Sequence, residues 1–223
     1  MEIDEKILYA IEHTEVVKPP KQSLATFGTT NIYYYLITQL VETANVVREG
    51  RVVASKPRIV TPTYLINLEG FSGQAKRYIE LMAEQNPREP SIFYAYKNEP
   101  ADMNIVSGPA EEVLEKVMQR EQSSSNPLSA IIKGVEDMWD VSLMKFTFEL
   151  TRSSVYSNVM DMERSGLLRM DGNGLPGDAR NYIEELFKLA EKDASQAPLL
   201  VSELKRWGVF SEYQDRFFNL FRK

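Results

Sequence analysis

Between Pro127 and Ser154 the chain runs PLSAIIKGVEDMWDVSLMKFTFELTRSS, its longest amphipathic stretch. Leu128, Ile131, Ile132, Val135, Met138, Trp139, Leu143, Phe146 and Leu150 recur at spacings of three and four, which places them on one face of a helix. An apolar face of that length demands a partner surface, so the rest of the chain is expected to pack onto it. Asp140 can cap a new helical segment, and the stretch therefore reads either as one rod or as two segments broken near Trp139. Burying such side chains stabilises by roughly 1.5 to 3 kcal/mol each. On this reading, truncating Trp139 or Phe146 to Ala unfolds the C-terminal half.

Upstream, Asp4 to His13 reads as a first helix with Ile3, Ile7, Leu8 and Ile11 on its buried side, stopped by Lys18-Pro19-Pro20-Lys21. IYYYLITQLV, apolar on both alternating faces, reads as a central strand. VVREGRVV, Val46 to Val53, is a near-palindrome about Glu49-Gly50 and predicts a hairpin with a two-residue turn, in which Arg48 faces Arg51. Thr61-Pro62 predicts a short helix over TPTYLINLEG, a segment whose composition would also suit a strand, and Ser72 opens another helix through Gln85. SIFYAYK and MNIVS read as two strands about an Asn98-Glu99-Pro100 turn.

Gly108-Pro109 starts a helix whose first turn carries Glu111 and Glu112, on the side the helix dipole favours. The tract QSSSNP, Gln122 to Pro127, then marks either a domain boundary or a loop between helices. Beyond the central stretch come a helix ending at Gly166, the loop DGNGLPG, and helices over DARNYIEELFKLAEK, Pro198 to Trp207 and Ser211 to Arg222, the last with Ser211 and Gln214 as a capping box. The expected fold class is α+β. Residues 1–122 form an α+β domain with a small antiparallel sheet, packed helices and a basic β-hairpin, and residues 127–223 form an all-helical domain.

Several chemistries fall away. There is no cysteine, hence no disulfide, thiolate nucleophile or cysteine metal site, and one histidine excludes a multi-histidine metal centre. Gly172-Asn173-Gly174-Leu175-Pro176-Gly177 matches GxGxxG, but a helix and not a strand precedes it, and Asp171 and Asp178 flank it where phosphates would sit. Gly70-Phe71-Ser72-Gly73-Gln74 misses the nucleophile elbow by one residue and reads as a helix cap. Glu136, Asp137 and Asp140 share a helical face, but no second segment repeats the pattern. No catalytic residue, cofactor or metal is assigned.

Two surface features remain. Residues 16–62 are net basic within a chain of net charge −6, and they set Arg48, Arg51, Lys56 and Arg58 near Tyr33, Tyr35 and Tyr64, the charge and stacking chemistry for single-stranded nucleic acid or an acidic protein. The C-terminal segment holds Trp207, Phe210, Tyr213, Phe217, Phe218 and Phe221, too many aromatics for one narrow helical face, which suits a partner or a second subunit. The leading expectation is a non-enzymatic binding or regulatory protein contacting a macromolecule through the basic hairpin. The alternatives are an enzyme with carboxylates and tyrosines gathered by the fold, and a structural subunit of an oligomer. No apolar run approaches the roughly 18 to 20 residues of a membrane span, and the acidic, amphipathic first residues argue for the cytoplasm.

Overall fold

A computed structural model of the chain describes residues 3–60, 68–84, 91–124, 126–172 and 174–221. In chain order the elements are α1 (Ile3–Glu12), β1 (Glu15–Lys18), β2 (Thr30–Val41), β3 (Ala44–Ala54), β4 (Arg58–Val60), β5 (Leu68–Glu69), α2 (Gly73–Glu84), β6 (Ser91–Phe93), β7 (Tyr96–Ser107), α3 (Ala110–Ser124), β8 (Ser129–Gly134), a 3-10 turn (Glu136–Met138), α4 (Trp139–Arg164), α5 (Gly177–Lys192), a second 3-10 turn (Ala194–Gln196), α6 (Ala197–Arg206) and α7 (Phe210–Asn219). The α+β class holds. The large sheet runs β1-β8-β2-β3-β7-β5 and is mixed, because β2 and β8, and β5 and β7, pair parallel.

The chain divides into two compact units, residues 1–56, 66–87 and 94–158 in the first and 57–65, 88–93 and 159–223 in the second. The serine tract at 122–127 lies inside the first unit, where it links α3 to β8.

β8 corrects the reading of Pro127 to Ser154 as helical from its start. Ser129 to Ile132 are all buried, and β8 lies between β1 and β2. A strand covered on both faces shows a short continuous apolar run that periodicity cannot separate from a helix, and here the β-branched Ile131 and Ile132 favour the strand. The helix begins only at Trp139. Asp140, buried at its start, accepts hydrogen bonds from the Val141 N–H (2.9 Å) and from the Ser72 N–H at the mouth of α2 (3.2 Å). Ser72 caps α2 as expected, its Oγ accepting from the N–H groups of Gln74 and Ala75.

Four further expectations change. β3 is one unbroken strand through Glu49-Gly50, and the tight turn sits at Glu42-Thr43 between β2 and β3. β7 likewise runs straight through Asn98-Glu99-Pro100, with the register slipping opposite Glu49 and Gly50. In α1 the buried residues are Ile7 and Ala10, while Ile3 and Leu8 are exposed. Ser211 lies inside α7, whose N-cap is Val209 with no side-chain bond, so the capping box does not form. The helix expected at Thr61-Pro62 falls largely outside the described residues.

Polar groups along α4 tie it to β7 and to the loops beside the sheet. Tyr96 Oη is bonded to Thr151 Oγ1, Asn158 Nδ2 donates to Tyr94 Oη (2.6 Å), and the Leu24 N–H donates to Ser154 Oγ (3.0 Å). Burial raises the phenol pKa of Tyr94 and Tyr96. In the second unit, Leu175, Ile183, Phe187, Leu200, Leu204 and Phe217 form the core of α5, α6 and α7, and β4 pairs antiparallel with β6.

Candidate functional site: an aromatic cleft on the open sheet face

Successive residues of a strand point to opposite faces, so an odd separation splits two side chains. Arg48 and Arg51 are three apart on β3 and are separated in this way. Arg48 turns to the face carrying α4. There its guanidinium grips Glu136 through Nη1 (2.8 Å) and Nη2 (2.6 Å), donates to Thr38 Oγ1 (2.9 Å), and lies 5.1 Å from the ring centroid of Trp139. This is a structural bidentate pair, largely withdrawn from solvent. Hydrogen bonding from Arg48 holds the Glu136 carboxyl below its usual pKa despite the opposing effect of burial.

A carboxyl with a lowered folded-state pKa adds stability above its unfolded value, about 4.5, and that stability is lost as the pH falls through the folded value. Glu136→Gln should therefore cost about 2 kcal/mol at neutral pH, a typical figure for losing hydrogen bonds to a charged group. Thermal melts of the two proteins should converge as the pH drops well below 4.5.

The opposite face carries the site. Cross-strand pairing sets Tyr33 beside Arg51 and Ser129, Arg51 beside Glu99, and Tyr35 beside Glu49. α3 covers part of this face: Val113 and Val117 meet Ile37, Val47 and Ile131, and Tyr35 is partly buried against the same cluster. Beyond that contact the sheet is open. Tyr33, Tyr35, Glu49, Arg51, Glu99, Ala101, Ser124, Asn126 and Ser129 line a cleft of about 460 Å³, floored by the backbone of Tyr34 and Gly50.

Its charges are ordered in pairs. Arg51 Nε donates to Glu99 Oε2 (2.7 Å), with Lys97 Nζ on the other carboxylate oxygen (3.4 Å). Arg120, from α3, holds Glu49 bidentately at 2.6 and 3.0 Å, with its guanidinium carbon 5.8 Å from the Tyr35 ring centroid. The Arg51 hydrogen bond lowers the Glu99 pKa. Beneath the rim, the buried Glu121 carboxylate is bonded to Lys18 and to Ser129 Oγ, which anchors the end of α3 to the sheet. Arg51, Lys97 and Arg120 against Glu49 and Glu99 leave one net positive charge.

Of the residues singled out from sequence, the fold thus gathers Tyr33, Tyr35 and Arg51. Arg48 is on the far face, and Lys56 lies just past the end of β3. Arg58 belongs to the second unit, where its guanidinium stacks 3.4 Å from the Tyr182 ring centroid and 3.7 Å from Glu185. There is accordingly no basic hairpin, and Tyr64 lies outside the described residues. The C-terminal aromatics divide as well. Phe217 is buried, Trp207, Phe210 and Tyr213 pack against the same core, and Phe218 and Phe221 are exposed.

Glu49, Glu99 and Arg120 had no signal in the sequence. The first two sat in presumed turns, and Arg120 is an ordinary charge on a helix. Glu136, Asp137 and Asp140 do not converge: Glu136 is taken by Arg48, Asp137 is exposed and Asp140 is buried. Among the described residues no group of three or more His, Asp or Glu side chains could hold a metal ion, and no helix is long and apolar enough to cross a membrane. No family model matches the chain, nor does any curated protein or solved structure.

Proposed function

We propose that this is a non-enzymatic, cytoplasmic binding protein that lays a short stretch of single-stranded nucleic acid across the open sheet face. The observation that carries this reading is the pair Tyr33 and Tyr35, two residues apart on one strand and therefore on one face, in a cleft bordered by Arg51 and Arg120. Rings held this way offer stacking surfaces to consecutive bases, and guanidiniums at the rim reach backbone phosphates. Both arginines are occupied by carboxylates in the free protein, but these pairs stand at the surface, where solvent screens them and a phosphate can take over a guanidinium at small cost. The paired carboxylates also disfavour weak, unselective attraction of duplex DNA to an otherwise acidic chain.

Acid–base catalysis is less well supported. A general acid working near neutral pH needs a raised carboxyl pKa, and that of Glu99 is lowered.

Fluorescence anisotropy with labelled single-stranded and duplex oligonucleotides across a salt series tests the proposal. The single strand should bind with a salt-dependent affinity that exceeds that for duplex. Tyr33→Ala with Tyr35→Ala should weaken it by about 2 to 6 kcal/mol, at roughly 1 to 3 kcal/mol per stacked base. Arg51→Ala with Arg120→Ala should flatten the salt dependence by about 1.4 in logarithmic slope, at roughly 0.7 per phosphate contact. Absence of binding at low salt, or binding indifferent to the tyrosines, would refute it.

A further inference from the structure

β7 is an edge strand over most of its length. β5 pairs with it only at Tyr96 and Lys97, and among the described residues no strand lies along its outer side from Asn98 to Ser107. Edge strands in soluble proteins are normally shielded by charge, bulges or short length, because their free N–H and C=O groups accept another strand. Part of this edge is shielded: Pro100 and the register slip beside it spoil pairing there. The remainder is not. Ala101 to Ile105 are all exposed, with Met103 62% and Ile105 66% accessible, and Asp102 is the one charge between Ala101 and Ser107.

We infer that this edge pairs antiparallel with the same strand of a second copy, about a two-fold axis passing through Asn104. The segment is its own complement in that register. Met103 of each copy faces Ile105 of the other, forming two apolar cross-strand pairs on one face, and Asp102 faces Val106 on the other. Neighbouring registers fit worse. An axis at Asp102 would set two carboxylates against each other, and one at Met103 would leave Ile105 opposite Ala101.

Charge supports the same choice. Asn104, Val106, Lys116 and Arg120 line one groove between β7 and α3, so a carboxylate opposite Val106 approaches Lys116 of the second copy. Among the described residues neither Asp102 nor Lys116 makes an ion pair within its own chain. The Met103 N–H is occupied in the single chain by Asp102 Oδ1 (2.9 Å), a local bond that a strand carbonyl can replace. The product is one continuous sheet through both copies. Its seam is short, so the dimer is a weak one, with a dissociation constant on the order of 10⁻⁵ M.

Sedimentation equilibrium of the full chain over a concentration series tests this. The wild type should pass from monomer to dimer. Ile105→Lys should weaken the dimer about tenfold or more while leaving circular dichroism and the melting temperature unchanged, since the side chain is exposed in the monomer. Asp102→Lys and Lys116→Asp should each weaken association, and the two combined should recover it. A protein monomeric up to about 10⁻³ M, a dimer untouched by Ile105→Lys, or charge reversals that do not compensate would each overturn the inference.

Discussion

Gly50→Asn is expected to destabilise the first unit by about 3 kcal/mol, the upper end of ordinary overpacking costs. Had Glu49-Gly50 been the turn of a hairpin, asparagine there would be nearly neutral, because Asn tolerates the left-handed backbone such turns require. In the folded chain Gly50 is in the middle of β3, directly across from Tyr34 on β2 and from Pro100 on β7. A β-carbon at this position would stand 2.6 Å from Tyr34 Oη, 2.8 Å from Tyr34 Cζ and 2.8 Å from the Glu99 carbonyl oxygen. Tyr34 has no room to retreat. Its ring is buried, its hydroxyl donates to Asn98 Oδ1 (3.1 Å), and burial pushes its pKa up to about 12.

Urea unfolding measures the effect as a fall in midpoint at unchanged slope. Adding Tyr34→Phe should recover only part of the loss, because it removes the hydroxyl contact and leaves the ring and the backbone carbonyl in place. A Gly50→Asn cost within about 0.5 kcal/mol would mean that the strand account of Gly50 is wrong.

Gly50 also shows what was legible in the sequence and what was not. Elements closed by local chemistry were readable: the Ser72 cap of α2, the acidic first turn of α3, and α5 and α6 within a residue or two of their ends. Where glycine or proline serves a long-range contact, the same residues mislead. Gly50 is small because Tyr34 lies across it, and Pro100 is tolerated beside an irregularity on an edge strand, yet both look like turn signals when read locally.

The site follows the same rule. Tyr33, Tyr35 and Arg51 could be found because their residue types suit a binding surface. Their partners could not: Glu99 is 48 residues from Arg51, a distance closed by the pairing of β3 with β7, and Arg120 is 71 from Glu49, a distance closed by the packing of α3 on the sheet. Arg48 fails for a simpler reason. Its face was decided by a register that the near-palindrome VVREGRVV disguised.

Phe146→Ala is expected to cost about 3 to 5 kcal/mol, the usual range for deleting a buried aromatic ring. The sequence alone assigned this loss to the C-terminal half, on the view that the whole Pro127 to Ser154 face was the core of a helical domain. Phe146 instead belongs to the first unit, 2% exposed among the buried early turns of α4, with Val141, Leu143 and Met144 also sealed from water. The core of α5, α6 and α7 is built from Leu175 onward.

The damage should therefore register in the sheet. Hydrogen exchange should quicken at the amides of β2, β3 and β8, whose inward residues Ile32, Leu36, Val46 and Ile132 are as deeply buried as Phe146, while α5 and α6 should keep the protection that their own core supplies. Loss of protection confined to α5 through α7 would place Phe146 in the wrong core. A uniform loss across both units would show that they unfold as a single cooperative body, each requiring the other's stability.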